Sequence, residues 1–201
     1  MLSVYKHLGS YERRVANNDG VTEEGGFNME FMELAKNRYS LRQFSSKPVE
    51  KEKLDLILKA GQLAPTACNN QPQRILVIES KEALAKLKKC TPCHFNAPIV
   101  LLVCYDNTSS WKRRIDGKEF GDIDASIVGT HLMMEAAELG LGTTWVGYFD
   151  PSAIKTEFSI PENIEPVSLF PLGYPAEGAG PNEQLHYSRK PIEETVFYNE
   201  F

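Results

Sequence analysis

The stretch Ile99 to Tyr105 reads Ile-Val-Leu-Leu-Val-Cys-Tyr, with no polar residue to mark a solvent face. A short apolar run of that kind is a strand from the interior of a sheet, because either face would otherwise set large side chains against water. Arg74 to Glu79 (RILVIE) has the same character and predicts a second core strand. Pro166 to Leu172 and Thr143 to Tyr148 predict two more. Around them the apolar period changes to that of helices. Phe31, Leu34 and Ala35 open one near Met29, and Leu54, Ile57, Leu58 and Gly61 share one face of another over Val49–Leu63, which Pro65 stops. Lys81–Lys89 and Pro151–Phe158 are shorter helices, the second with proline at its opening. The longest helical signal runs from Asp122 to Leu139, with an acidic start and Gly140 as its stop. Ile123, Ile127, Met134 and Ala137 make its surface unusually apolar, which suits burial against a partner chain.

Composition narrows the setting. In 201 residues, 42% hydrophobic and 24% charged, there is material for one sizeable core, hence one domain over 29–201. Residues 1–28 are polar, with Asn17-Asn18-Asp19-Gly20 and Glu23-Glu24-Gly25-Gly26, and read as an appended flexible leader; Met29 is an alternative start. A net charge of -5 offers no general attraction to phosphate backbones or anionic lipid, so neither nucleic acid nor a membrane surface is an expected partner. The chain has neither a secretion signal in its first twenty residues nor a stretch of about 18 apolar residues, which predicts a soluble, cytoplasmic protein. Cys68, Cys90, Cys93 and Cys104 are too irregularly placed for a disulfide framework and are expected as thiols. Cys90-x-x-Cys93 lacks the second pair a zinc site needs. No glycine-rich phosphate loop follows a strand, so a Rossmann-type site has no support.

Three segments carry chemistry. Arg38-Tyr39-Ser40-Leu41-Arg42 concentrates two guanidinium groups and a hydroxyl just after a helix, a donor set suited to phosphate, although arginines at a helix end are also common on ordinary surfaces. Ala64-Pro65-Thr66-Ala67-Cys68-Asn69-Asn70-Gln71-Pro72 is a polar turn between a helix and a strand. On extended backbone Asn69 and Gln71 would point the same way and could read the polar edge of a flat heterocycle. Gly140 to Phe149 leads from the long helix into a strand and passes Gly147, where backbone can approach a ligand closely. Taken alone that segment is equally a glycine cap and a strand end. Residues 107–121, with Trp111 and Lys112, have no period and read as a surface excursion of the kind that covers sites. The tail from Gly178 ends in Val196, Phe197, Tyr198 and Phe201, an aromatic arm suited to wrapping a neighbour.

The order and spacing of Arg38 to Phe44, Pro48-Val49, Ala64 to Pro72, Gly140 to Phe149 and Leu172-Gly173-Tyr174-Pro175 resemble the nitroreductase family, over about 31–190. The resemblance implies an α+β fold, a central mostly antiparallel sheet flanked by helices, in an intertwined homodimer that builds FMN sites at its interface. It implies that Arg38, Ser40 and Arg42, with Tyr39 beside them, hold the FMN phosphate and ribityl chain, and that Arg189 closes the phosphate site. Pro65, Thr66 and Ala67 of the partner subunit would back the ring, Asn69 and Gln71 would address polar ribityl or ring atoms, and Val146 and Gly147 would lie near the flavin N5. Hydride would pass from NADH or NADPH to a small-molecule acceptor, a nitroaromatic, quinone or activated alkene, in ping-pong turnover. A flavin-binding or sensing protein without efficient turnover, or a specialised relative such as a dehalogenase, is the alternative. Two departures stand out. Cys90-Thr91-Pro92-Cys93 occupies the place where many relatives carry a lysine near the flavin N1 and O2, with Arg74 as the candidate substitute. Tyr187 stands two before Arg189 where a second basic residue is frequent.

Overall fold

The computed structural model describes residues 30–201. The leader expected over 1–28, and Met29, lie outside them. Helix α1 spans Phe31–Asn37, α2 Lys51–Leu63, α3 Lys81–Leu87, α4 Gly121–Glu138, α5 Pro151–Glu157 and α6 Glu183–Tyr187. Strands β1 (Gln73–Ile78), β2 (Ile99–Asp106), β4 (Ile164–Gly173) and β3 (Gly142–Thr143) lie side by side in that order, every neighbouring pair antiparallel.

The apolar run that opened the sequence is the spine of this sheet. Alternate side chains of β2 point to opposite faces. Leu101, Val103 and Tyr105 meet Ala125, Val128, Leu132 and Ala136 of α4 together with Leu54 and Ile57 of α2. Val100, Leu102 and Cys104 meet Leu87 of α3 and Ile154 of α5. Both faces are therefore dry, which is why the segment has no alternation. Close helix approach depends on glycine at two places. A Cβ on Gly61 would lie 2.6 Å from Leu132 Cδ2, and one on Gly129 2.5 Å from Phe170 Cζ.

The long helix meets the core of its own chain through a stripe other than the one expected to face a partner. Ala125, Val128, Leu132 and Ala136 face the core, whereas Ile123 is exposed and Ile127, Met134 and Ala137 are only partly covered. The expected strand over Thr143–Tyr148 is shorter than its composition suggests: β3 is Gly142–Thr143, and beyond it only Val146 bridges back, to Leu169. The 107–121 excursion is an ordered hairpin rather than an irregular loop. Lys112 pairs with Glu119, Trp111 meets the Phe120 ring edge-on, and Gly117 takes the positive φ of 73° that its turn requires.

At one end of the sheet Asp106 gathers donors from three places. Its Oδ1 accepts from the Thr108 hydroxyl at 2.6 Å, the Thr108 amide at 3.0 Å and Asn163 Nδ2 at 2.9 Å, and its Oδ2 from Arg74 Nη2 at 3.0 Å. The Thr108 hydroxyl, then Asn163, hold its carboxyl down to about 2. Because the folded value lies below the unfolded one, the stability it contributes is complete above about pH 4. It is lost as pH falls from there towards 2. Asp106→Asn should flatten this acid limb in melting temperatures measured across pH 2–6; an unchanged limb would show that the node contributes nothing.

Candidate functional site

Arg38 ends α1 by turning to extended backbone (φ -60°, ψ 127°), and the chain then runs alongside β3. Ser40 bridges Thr143, and the Leu41 amide donates to the Thr143 carbonyl at 2.9 Å. Leu41, 1% exposed, is driven inward against Gly142, whose lack of a side chain makes its room. Alternation then turns Ser40 and Arg42 outward. The tail completes the site. Asn182 caps α6 by accepting from the Leu185 amide at 3.0 Å, and His186 Nε2 lies 2.9 Å from the Lys36 carbonyl, which brings Arg189 round. Arg38, Tyr39, Ser40, Arg42, Asn182, Leu185, His186 and Arg189 line a cavity of about 250 Å3.

The electrostatics of that cavity are one-sided. Burial, and then the charge of Arg189, push the Arg38 guanidinium down from its ordinary value. Among the described residues, no carboxylate lies within 4 Å of the guanidinium groups of Arg38, Arg42 or Arg189. Arg42 Nη1 donates to the Ser40 carbonyl at 3.2 Å and Arg189 Nη1 to the Ser188 carbonyl at 2.7 Å, contacts that orient the groups without neutralising them. Converging cations without a counter-charge are arranged for an anion.

Gly147 lies along the same backbone path, four residues beyond Thr143. Val146 and Leu169 exchange both amide bonds at 2.9 Å, fixing the peptide that carries the Gly147 N–H. Gly147 itself is exposed, and a Cβ built on it would meet nothing within 4 Å. The open space there is on the solvent side, where a ligand could approach.

The turn after α2 differs from the expectation. Asn69 (φ 54°) and Gln71 (φ 49°) are left-handed, as is Cys68 (φ 52°), so the segment is a compact turn, not extended backbone that aims two amides one way. Gln71 donates its side-chain amide to the Asn69 carbonyl at 3.4 Å and its backbone amide to Thr66 Oγ1 at 3.1 Å. Both side chains remain exposed, as does Pro65, with Thr66 and Ala67 half-covered. The turn is fastened by one of the acidic residues that open the long helix. Asp124, 1% exposed, accepts from the Ala67 amide at 2.9 Å. Nothing local in the sequence signals a contact 57 residues apart. Asp124→Ala strands that amide and should cost about 1–3 kcal/mol in urea unfolding; no loss would mean that the turn holds without it.

Arg74, the candidate substitute for the lysine of many relatives, is already held by its own chain. Its guanidinium is bound to Asp106 and donates to the Gln73 carbonyl at 2.9 Å and the Pro72 carbonyl at 3.2 Å, so its charge is spent on the turn. The cysteines are free thiols. Burial pushes Cys104 up to about 12 and raises Cys90, the reverse of activation.

The turn and the backbone that leads to Thr143 are anchored at opposite ends of α4. The Pro65–Gln71 turn is tied to the first turn of α4 through Asp124, whereas the backbone leading to Thr143 leaves its last turn, where the Leu141 amide donates to the Ala136 carbonyl. At 1.5 Å per residue those anchors stand about 18 Å apart along the helix.

The nitroreductase family model matches residues 35–94 and 89–174. The chain belongs to the nitroreductase family. A relative from Methanothermobacter thermautotrophicus, assigned provisionally as an NADH dehydrogenase/NAD(P)H nitroreductase, is 33% identical over 172 residues, 82% of this chain and 87% of that one. A nitroreductase family protein of Clostridium difficile 630 superposes with a TM-score of 0.82 at 44% identity, covering 86% of this chain and all of that one. Another Clostridium difficile protein, an FMN-dependent nitroreductase, gives a TM-score of 0.69 at 28% identity over 85% of this chain and 100% of its own. The α+β nitroreductase fold expected from five ordered motifs is the fold found.

Proposed function

We propose that this nitroreductase family member binds FMN and works as an NAD(P)H-dependent oxidoreductase on nitroaromatics, quinones or related electrophilic acceptors, as a homodimer. The observation that carries the reading is the cavity in which Arg38 and Arg42, from the start of the domain, converge with Arg189, from its end, with no carboxylate among them. That donor set fits a phosphate monoester, the anionic terminus of FMN. Arg38, Arg42 and Arg189 hold the phosphate, while Ser40 and Tyr39 flank the chain that leads from it. Val146 and Gly147 present a fixed backbone amide to the polar edge of the ring. Pro65, Thr66 and Ala67 of a second copy back the ring, and Asn69 and Gln71 offer exposed amides to its polar atoms.

When bound, FMN supplies the hydride chemistry, so the protein's part is position, charge and access. This accounts for a site without a poised acid/base pair. Anaerobic addition of NADH or NADPH should bleach the bound flavin, and a quinone or nitroaromatic should then restore its colour, with parallel initial-velocity lines. Flavin that binds but resists reduction would make the protein a binder or sensor.

The separation along α4 is the reason for two chains in this reading. The described tail supports it: Val196, Phe197, Tyr198 and Phe201 are exposed, as are Ile123 and Trp145. Dilution should therefore release FMN in step with dissociation, followed by sedimentation and flavin fluorescence. A monomer of full FMN affinity would contradict the shared site.

Among the described residues no helix is long and apolar enough to cross a membrane.

A further inference from the structure

The segment Cys90-Thr91-Pro92-Cys93, where the family pattern leads one to expect a lysine, packs against the backbone that leaves Gly147. Thr91 is 2% exposed, and both capacities of its hydroxyl are used. The oxygen accepts from the Cys93 amide at 3.0 Å, which leaves the O–H to donate to the Tyr148 carbonyl at 2.6 Å. The Asp150 amide adds a bond to the Cys90 carbonyl at 2.9 Å. On the other side, the Val146 carbonyl accepts from the Leu169 amide at 2.9 Å. That carbonyl shares its rigid peptide plane with the Gly147 N–H. Gly147 is thus the exposed residue of a short span anchored at both ends, and glycine is the residue that would wander most without those anchors.

We propose that Thr91 is a positioning residue: its buried hydroxyl clamps the Tyr148 carbonyl so that the Gly147 amide is presented ready-aimed at the ring of bound FMN. The proposal rests on the flavin reading above. A donor held in place before its acceptor arrives has no reorganisation to undergo when negative charge develops there. The replaced lysine segment therefore acts through backbone orientation and not through a cation of its own.

The test compares Thr91→Val and Thr91→Ala, which remove the hydroxyl, with Thr91→Ser, which keeps it. Backbone amide exchange over 147–150 is measured without FMN, and flavin reduction by NADH or NADPH with it. In T91V and T91A the exchange should quicken about tenfold over this span and not along β2, and flavin reduction should slow about tenfold, the order expected for loss of one hydrogen bond. T91S should match the unmodified protein, and FMN affinity should hold in all variants because the phosphate grip lies elsewhere. Unchanged exchange and reduction in T91V and T91A, or equal impairment in T91S, would overturn the assignment. If the unmodified protein takes up no FMN, the flavin reading fails while the exchange contrast still decides whether Thr91 clamps this span. Should T91V not fold, T91A against T91S carries the same comparison.

Discussion

Arg38→Ala should weaken FMN binding about 100-fold, the scale of one or two charge-assisted bonds to phosphate, and leave the FMN-free protein as stable as before or more so. The two effects have one cause. Arg38 is half-buried and repelled by Arg189, and both the burial and the repulsion disfavour its charge in the FMN-free protein. Removing it relieves that penalty when no anion is present and removes a bond when one is. Isothermal titration with FMN and melting of the FMN-free protein measure the two sides. A variant that lost affinity only in proportion to lost stability would show Arg38 to be a structural residue.

Phe170→Ala should be the most damaging single change in the core, costing about 3–5 kcal/mol. Phe170 is fully buried on β4, its ring edge-on to Trp145 at 4.8 Å between centroids, with Gly129 of α4 too close beneath it for any side chain. The gap cannot be closed from the helix side without moving α4. Since Leu169, next to Phe170, also holds Val146, the site should loosen together with the core. Guanidinium unfolding measures the first effect and FMN affinity the second. A cost under about 1 kcal/mol would mean that the neighbours collapse into the space.

Much of this was legible in the residues. Ile99 to Tyr105 announced the central strand because burial on both faces removes alternation, and β2 is that strand. Donor type singled out the arginine run, and the order of family motifs added Arg189; the structure brings both to one cavity. What escaped were features set by tertiary contact. No pattern in Cys68 to Gln71 shows three left-handed residues, because the turn's conformation is imposed by Asp124 and Thr66. Asp124 looked like any acidic residue opening a helix, and Thr91 like any loop threonine, until folding brought Ala67 and Tyr148 to them. The stripe of α4 that meets the core was masked for the opposite reason: the helix is apolar on more than one side, so its period could not say which side faces inward.

Purified protein, freed of small molecules and titrated with FMN while its visible absorption spectrum is recorded, tests the central claim most directly. The account predicts saturable uptake, one FMN per chain, with the flavin bands shifted from those of free FMN and the uptake abolished by joint replacement of Arg38 and Arg189 with alanine. Protein that remains colourless, or that binds FMN equally well without those two arginines, would contradict it.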